Sequence, residues 1–165
     1  MKHTHVLIVG AGPSGTGAAA TLARAGVDCL LIDKATFPRE KLCGGLVTGR
    51  CLSLINDVFD LPYDATILRS SKDIRLMMNG MVLSHVTDHT TLHFTMRCEF
   101  DHWLLSRAIA LGAKTQLGVA IIDITDNAGT LADGTTITVT VLTALLHATC
   151  LAAHLTPKPS VSGSR

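Results

Sequence analysis

The sequence predicts an α/β protein in which a parallel sheet with flanking helices is interrupted by an antiparallel β-meander. Three observations lead there. Val6-Leu7-Ile8-Val9 is a continuous apolar run that enters Gly10-Ala11-Gly12-Pro13-Ser14-Gly15, and an alanine-rich segment then leads to a second apolar run, Cys29-Leu30-Leu31-Ile32-Asp33. That order reads as strand, glycine turn, helix, strand, which is a βαβ unit. Further on, Asn79-Gly80 separates two β-like runs, and short β-like segments from Lys114 to Leu142 are spaced by turn residues.

Each glycine of the first turn has its own task. Gly10 allows the tight turn, Gly12 lets the backbone approach a pyrophosphate, and Gly15 lets the helix pack closely on the strand. Pro13 suits the first helical turn, and Pro13 and Ser14 open a helix whose free N–H groups and dipole favour phosphate. Ala18, Ala19, Leu22 and Ala23 form a small apolar face, and Gly26 ends the helix as a left-handed cap. The unit is therefore expected to be a Rossmann-like, dinucleotide-binding one. Asp33, at the end of the second strand, is placed to accept hydrogen bonds from an adenosine ribose. Its charge opposes a 2′-phosphate, so FAD or NAD fits this position better than NADP.

The segment Phe37-Pro38-Arg39-Glu40-Lys41-Leu42-Cys43-Gly44-Gly45-Leu46-Val47 reads as a loop. Arg39 and Lys41 are cationic, and positive charge near Cys43 favours its thiolate. Gly44 and Gly45 leave the backbone bare enough to approach a flat ring or another chain. Read from the residues alone, a solvated basic turn with an inert buried cysteine explains the segment as well. Next come β-like runs from Lys72 to Met78 and Met81 to Val86, joined by Asn79-Gly80. Phe100, Leu104, Ala108 and Leu111 then recur at helical spacing from Arg97 to Leu111, with Trp103 and Leu105 beside them. Short strands are expected at 114–119, 121–125, 130–132 and 135–142, with turns at Asp126-Asn127-Ala128-Gly129 and Asp133-Gly134.

Composition bounds the rest. The 165 residues suffice for one domain with a core, and the net charge of +1 with no basic patch argues against nucleic acid. No separate hydrophobic region and cleavage site precede the glycine turn, so the start does not read as a signal peptide. Cys29, Cys43, Cys51, Cys98 and Cys150 form an odd set without a CxxC pair, which suits neither a disulfide framework nor zinc and points to a reducing cytoplasm. His85, His89 and His93 lie four apart, but their threonine-rich surroundings favour strand and loop, so no metal is expected. The run 135–156 is uncharged and near membrane-spanning length. Its β-branched first part, with His147 and His154 in the second, favours a strand followed by a helix over a membrane span.

Pro38-x-x-Lys41-x-Cys43-Gly44-Gly45 after the glycine turn and Asp33 resembles the geranylgeranyl reductase family of flavoproteins. That family lies within a larger group that includes aromatic hydroxylases and flavin-dependent halogenases. Arg97-Cys98-Glu99-Phe100-Asp101-His102-Trp103-Leu104 looks like the Arg-x-x-Phe-Asp-x-x-Leu helix start of the same group, and the resemblance runs from about His5 to Leu142. It implies a Rossmann-like FAD/NAD(P)-binding fold with an inserted β-meander. It further implies reduction of isoprenoid double bonds of a pigment or lipid precursor, with NADPH or another reductant as electron donor. The expected partner is a hydrophobic isoprenoid substrate, with peripheral contact to a membrane. By resemblance, Gly10, Gly12, Pro13, Ser14, Gly15, Asp33, Lys34 and Arg39 bind the cofactor. Arg97 lies near the flavin or its phosphates, Cys43, Gly44 and Gly45 line the reaction face, and Cys43 is the candidate catalytic residue.

A flavin monooxygenase or halogenase remains the alternative chemistry on the same fold, and an inactive nucleotide-binding remnant is the third reading. In the resembling family a Gly-Ala-Asp-Gly motif follows the strand that corresponds to 136–142, whereas here Thr143-Ala144-Leu145-Leu146-His147 follows. Residues 1–142 are thus expected to form the first part of an FAD-binding domain, incomplete at its C-terminus, with the beginning of substrate-domain strands at about 66–96. Residues 143–165 are expected to be an atypical Ala/Leu/Thr-rich segment and a disordered Pro/Ser-rich tail, as in a truncated or frame-shifted product.

Overall fold

The computed structural model describes residues 2–59, 67–87 and 91–144, with side chains as far as 141. The first unit is β1 (Lys2–Val9), α1 (Pro13–Arg24) and β2 (Cys29–Asp33). Val6, Leu7, Ile8 and Val9 alternate between two buried faces: Val6 and Ile8 point to the helices, Leu7 and Val9 to the other side. A strand covered on both faces has to be apolar at every position, which is why this run does not alternate with polar residues. Four side chains of β1 and β2, Leu7, Ile8, Leu31 and Ile32, are at most 1% exposed. Each contributes about 1.5–3 kcal/mol by leaving water.

α1 ends as expected. Gly26 has φ +70°, its N–H donates to Ala23 O at 3.0 Å, and the Val27 N–H donates to Leu22 O at 3.0 Å. This is a Schellman closure that satisfies two helix-end carbonyls. α3 (Arg97–Ala110) closes the same way at Gly112, which has φ +98°, with Gly112 N–H to Ile109 O and Ala113 N–H to Ala108 O. Its buried face, Phe100, Leu104, Leu105 and Ala108, packs beneath the sheet together with Ala19 and Ala20 of α1.

After α3 come β8 (Lys114–Leu117), β9 (Ile121–Thr125), β10 (Ala128–Leu131) and β11 (Thr136–Ala144). Numbering β3 to β7 in chain order for the strands between β2 and α3, the main sheet has the order β8-β2-β1-β11-β10-β9. Its first four strands are parallel, and β11, β10 and β9 are antiparallel. The chain is therefore the expected α/β Rossmann-like fold with a β-meander. One turn differs from expectation: Ala128 and Gly129 belong to β10, so the turn is Asp126-Asn127 alone. The reason is contact, since a Cβ on Gly129 would come 2.9 Å from Leu7 Cδ2. The glycine is there to let β10 pass over the core, and it is not a turn residue. β10 accordingly ends at Leu131, one residue short of the expected strand, and Gly134 at φ +82° makes the expected second turn.

Between β2 and α3 lie β3 (Leu46–Val47), α2 (Gly49–Phe59), β4 (Arg69–Ser71), β5 (Ile74–Met78), β6 (Met81–Val86) and β7 (Leu92–Phe94). β3, β7 and β4 form a small antiparallel sheet in that order. α2 was not expected. Its signal is Thr48, whose Oγ1 accepts the Cys51 N–H at 3.3 Å as an N-cap, followed by buried Leu52, Ile55 and Phe59. β5 and β6 pair as a hairpin around Asn79 (φ +48°) and Gly80 (φ +79°), the turn their sequence requires. Every residue of that hairpin is exposed. Among the described residues no helix is long and apolar enough to cross a membrane. Residues 145–165, including His147, His154 and the expected tail, lie outside the described residues.

Candidate functional site

The site forms at the C-terminal end of β1, where the chain must turn at once into α1. Gly10 makes that turn at φ +104°, a conformation that only glycine adopts without strain, and its N–H donates to Ile32 O at 2.7 Å. A Cβ on Gly15 would sit 1.8 Å from Gly10 O, so the helix can lie on the turn only because that atom is missing. Gly12 is different. It is the N-cap residue at φ −76°, and a Cβ there would have only Arg39 Nη2 and Arg97 Nη2 nearby, each at 3.9 Å. Among the described residues nothing demands glycine at 12, and the open space there suits a ligand set against the turn.

Asp33 ends β2 beside this turn. Its Oδ2 accepts the Ala11 N–H at 2.7 Å and its Oδ1 accepts the Ala35 N–H at 2.8 Å. The carboxylate thus ties the glycine turn to the next segment, and each oxygen keeps a second lone pair with which to accept a ribose hydroxyl. Lys34, next to it, is exposed, as is Ser14 in the first turn of α1, while Pro13 occupies the expected N-terminal position of that helix.

Two arginines converge on the turn from different elements. Arg97, the first residue of α3, makes a bidentate pair with Asp101 one helical turn on, Nε to Oδ1 at 2.6 Å and Nη2 to Oδ2 at 2.8 Å. Arg39, from the 37–45 loop, reaches the same Oδ2 through Nη2 at 3.2 Å. Asp101 is fully buried, and the arginine side chains are 17% (Arg39) and 13% (Arg97) exposed. Arg39 also lies over the Phe37 ring, 4.9 Å from its centroid. Asp101 was not among the expected site residues. Its i, i+4 spacing from Arg97 is visible in the sequence, but its contact with Arg39 is not.

Cys43 is exposed, not an inert core thiol. Its Sγ accepts the Gly45 N–H at 3.4 Å and also meets the Arg97 side chain; these two hydrogen bonds, in that order, pull the thiol below its ordinary range. Arg97, held mainly by Asp101 and also by Cys43, is kept more firmly protonated than usual. Gly45, at φ +70°, is needed because a Cβ there would lie 2.1 Å from Thr95 O, so its close approach is to another chain segment. Gly44 is exposed, with open space where a Cβ would be. The structure thus gathers Gly10, Gly12, Gly15, Asp33, Arg39, Cys43 and Arg97 at one end of the sheet. A depression of about 450 Å³ between Pro38, Ile67, Trp103 and Arg107 contains none of them.

Two features of this site fit FAD. Arg39 Nη1 is buried without a hydrogen-bond partner among the described residues, and the space beside Gly12 would otherwise admit a side chain. A buried guanidinium N–H without an acceptor is costly, and an anion at a helix N-terminus supplies one. A family model described as an FAD binding domain matches residues 3–145. The chain belongs to this FAD binding domain family. A menaquinone reductase of Mycolicibacterium smegmatis is 33% identical over 149 residues, 80% of this chain and 34% of that protein. A geranylgeranyl diphosphate reductase of Rhodobacter capsulatus is 32% identical over 111 residues, 67% of this chain and 27% of that protein. A variant of the halogenase PltM in complex with FAD shares the fold, with a TM-score of 0.72 at 20% identity over 87% of this chain and 34% of its own. The chain spans about a third of the length of the curated relatives it matches.

Among the described residues His85 and His93 do not come together. His85 lies on β6 and meets Arg75 Nε at 3.4 Å, His93 lies on β7 in the other small sheet with Ser70 Oγ 3.0 Å from its Nδ1, and His89 lies outside the described residues.

Proposed function

We propose that this chain is the FAD-binding portion of an oxidoreductase that reduces isoprenoid double bonds of a pigment or lipid precursor, using NADPH or another reductant. The observation behind this reading is the Cys43-Gly44-Gly45 segment, whose thiol stands beside Arg97 at the glycine turn. The similarity to menaquinone and geranylgeranyl diphosphate reductases supports it. The likeness to halogenases is one of fold, at low identity, and does not favour halogenation.

Bound FAD supplies the hydride chemistry, and the protein supplies orientation and surroundings. In this chain the backbone at Gly10 and Gly12 with the start of α1 would hold the diphosphate, and Asp33 the ribose. Arg39 and Arg97 supply positive charge there. Cys43 is assigned to the reaction face, where its exposed thiol, pulled down by the Gly45 N–H and Arg97, is the candidate proton donor. The exposed apolar residues of β5 and β6, among them Leu76, Met78 and Leu83, suit a hydrophobic substrate or a membrane surface.

The test is to load the full chain with FAD, remove free cofactor, reduce with dithionite and supply geranylgeranyl diphosphate. Retained flavin is expected of this chain, and a saturated product of an intact homologous reductase under the same conditions. A product that instead gains oxygen or halogen under air overturns the reductase reading, and a folded chain that retains no flavin favours an inactive remnant. In an intact homologous enzyme the Cys43→Ser change is expected to lower turnover more than flavin content, and an equal loss of both would remove Cys43 from the reaction face.

A further inference from the structure

Arg39 and Arg97 belong to segments far apart in sequence, and one carboxylate joins them. The geometry points to Asp101 as a positioning residue: by tying the 37–45 loop to α3 it presents Arg39 and Arg97 together as a two-pronged seat for the cofactor's diphosphate against Gly12. The inference rests on the chain's being an FAD-binding module.

The division of labour among the bonds supports it. Arg97 is locked by two parallel bonds to Asp101, a geometry that fixes a guanidinium in orientation as well as in place. Arg39 meets Asp101 through Nη2 alone and lies over the Phe37 ring, which leaves its Nη1 buried and without a hydrogen-bond partner among the described residues. The nitrogens nearest the missing side chain of Gly12 are the Nη2 atoms of these same two arginines.

Charge points the same way. A buried carboxylate that served only to neutralise a buried arginine would need one arginine, whereas here two guanidiniums share it and an excess positive charge remains in a largely buried place. The N-terminus of α1 adds further positive potential at the same point. A diphosphate would balance that excess and give Arg39 Nη1 its acceptor. Asp101 itself is fully buried, so it acts through the arginines without touching the ligand.

The experiment compares the full-length chain with Asp101→Asn, Arg39→Lys and the double variant, measuring Kd for FAD and for ADP alongside thermal melting. ADP lacks the flavin, so a loss seen with ADP locates the effect at the diphosphate half. Each single variant is expected to weaken both ligands about tenfold, the scale of one charge-assisted hydrogen bond. Arg39→Lys keeps the charge but not the planar fork. Because Asp101 acts through Arg39, the two losses should not multiply in the double variant. Folded Asp101→Asn with unchanged ADP affinity, or losses that multiply, overturns the proposal. If Asp101→Asn does not fold, Arg39→Lys decides, since unchanged ADP binding there removes the seat. A wild-type chain that binds neither FAD nor ADP instead removes the cofactor reading on which the proposal stands.

Discussion

Gly10 after β1 and Gly80 between β5 and β6 both turn the chain at positive φ, and their surroundings are opposite. Gly10 stands under the start of α1, with its carbonyl where a Cβ on Gly15 would be, at the edge of a core whose central side chains are fully buried. Around Gly80 a Cβ would meet nothing within 4 Å, and residues 74–86 are exposed throughout. The first turn is specified by packing and the second by torsion angles alone. Stability is accordingly expected to concentrate in the β1–α1–β2 unit, while the hairpin opens locally without unfolding the rest.

The largest expected effect is Gly15→Ala. The new methyl and Gly10 O cannot both stay where they are, so the helix must lift off the turn, at a cost of about 3 kcal/mol or more. A urea midpoint within error of wild type would show that the turn is not packed as described. Next is Asp33→Asn, which leaves one carbonyl oxygen for two backbone donors and faces an amide toward one of them. About 1.5 kcal/mol should be lost, with faster amide exchange at Ala11 and Ala35 as the local signature. Gly80→Ala puts a side chain at φ +79° and strains the hairpin by about 1–2 kcal/mol. Exchange should quicken across 74–86 while the global midpoint stays in place, and a fall in that midpoint would mean that the hairpin is coupled to the core. Met77→Ser, at a half-exposed site, should change global stability by no more than about 0.5 kcal/mol.

A final test concerns the loop between the two regions. Because the Cys43 thiol is pulled down, its alkylation should persist to lower pH than that of an ordinary cysteine, the thiolate fraction falling only as pH drops through the lowered value. The Gly45 N–H is the largest single cause and remains when Arg97 is removed, so Arg97→Gln should move the alkylation profile upward only part of the way. A full return to ordinary thiol behaviour would mean that Arg97 dominates.

Legibility in the sequence followed the same division. Gly10, Gly26, the Asn79-Gly80 turn, the Gly112 cap and α3 were all readable, because each depends on the torsion preference of one residue or on spacing within one element, and Gly15 was readable through its fixed spacing from Gly10 and Gly12. Gly129 was misread because a glycine that admits Leu7 looks the same in sequence as one that makes a turn. α2 went unseen because its cap at Thr48 and its three buried positions follow directly on a glycine-rich loop, and Gly49 in the helix start is a poor helix former.

Sequence alone determined the α/β class, the glycine turn with its acidic partner on β2, and a cationic loop ending in Cys43-Gly44-Gly45, since these rest on local spacing and residue chemistry. Only the tertiary structure decided that Asp33 binds the turn itself, that β3, β7 and β4 form one sheet, and that Asp101 brings Arg39 to Arg97 with one nitrogen left unpartnered. The reason is that a buried carboxylate must find its counter-charges, and which cations it finds depends on how distant segments pack, a relation that no spacing along the chain records.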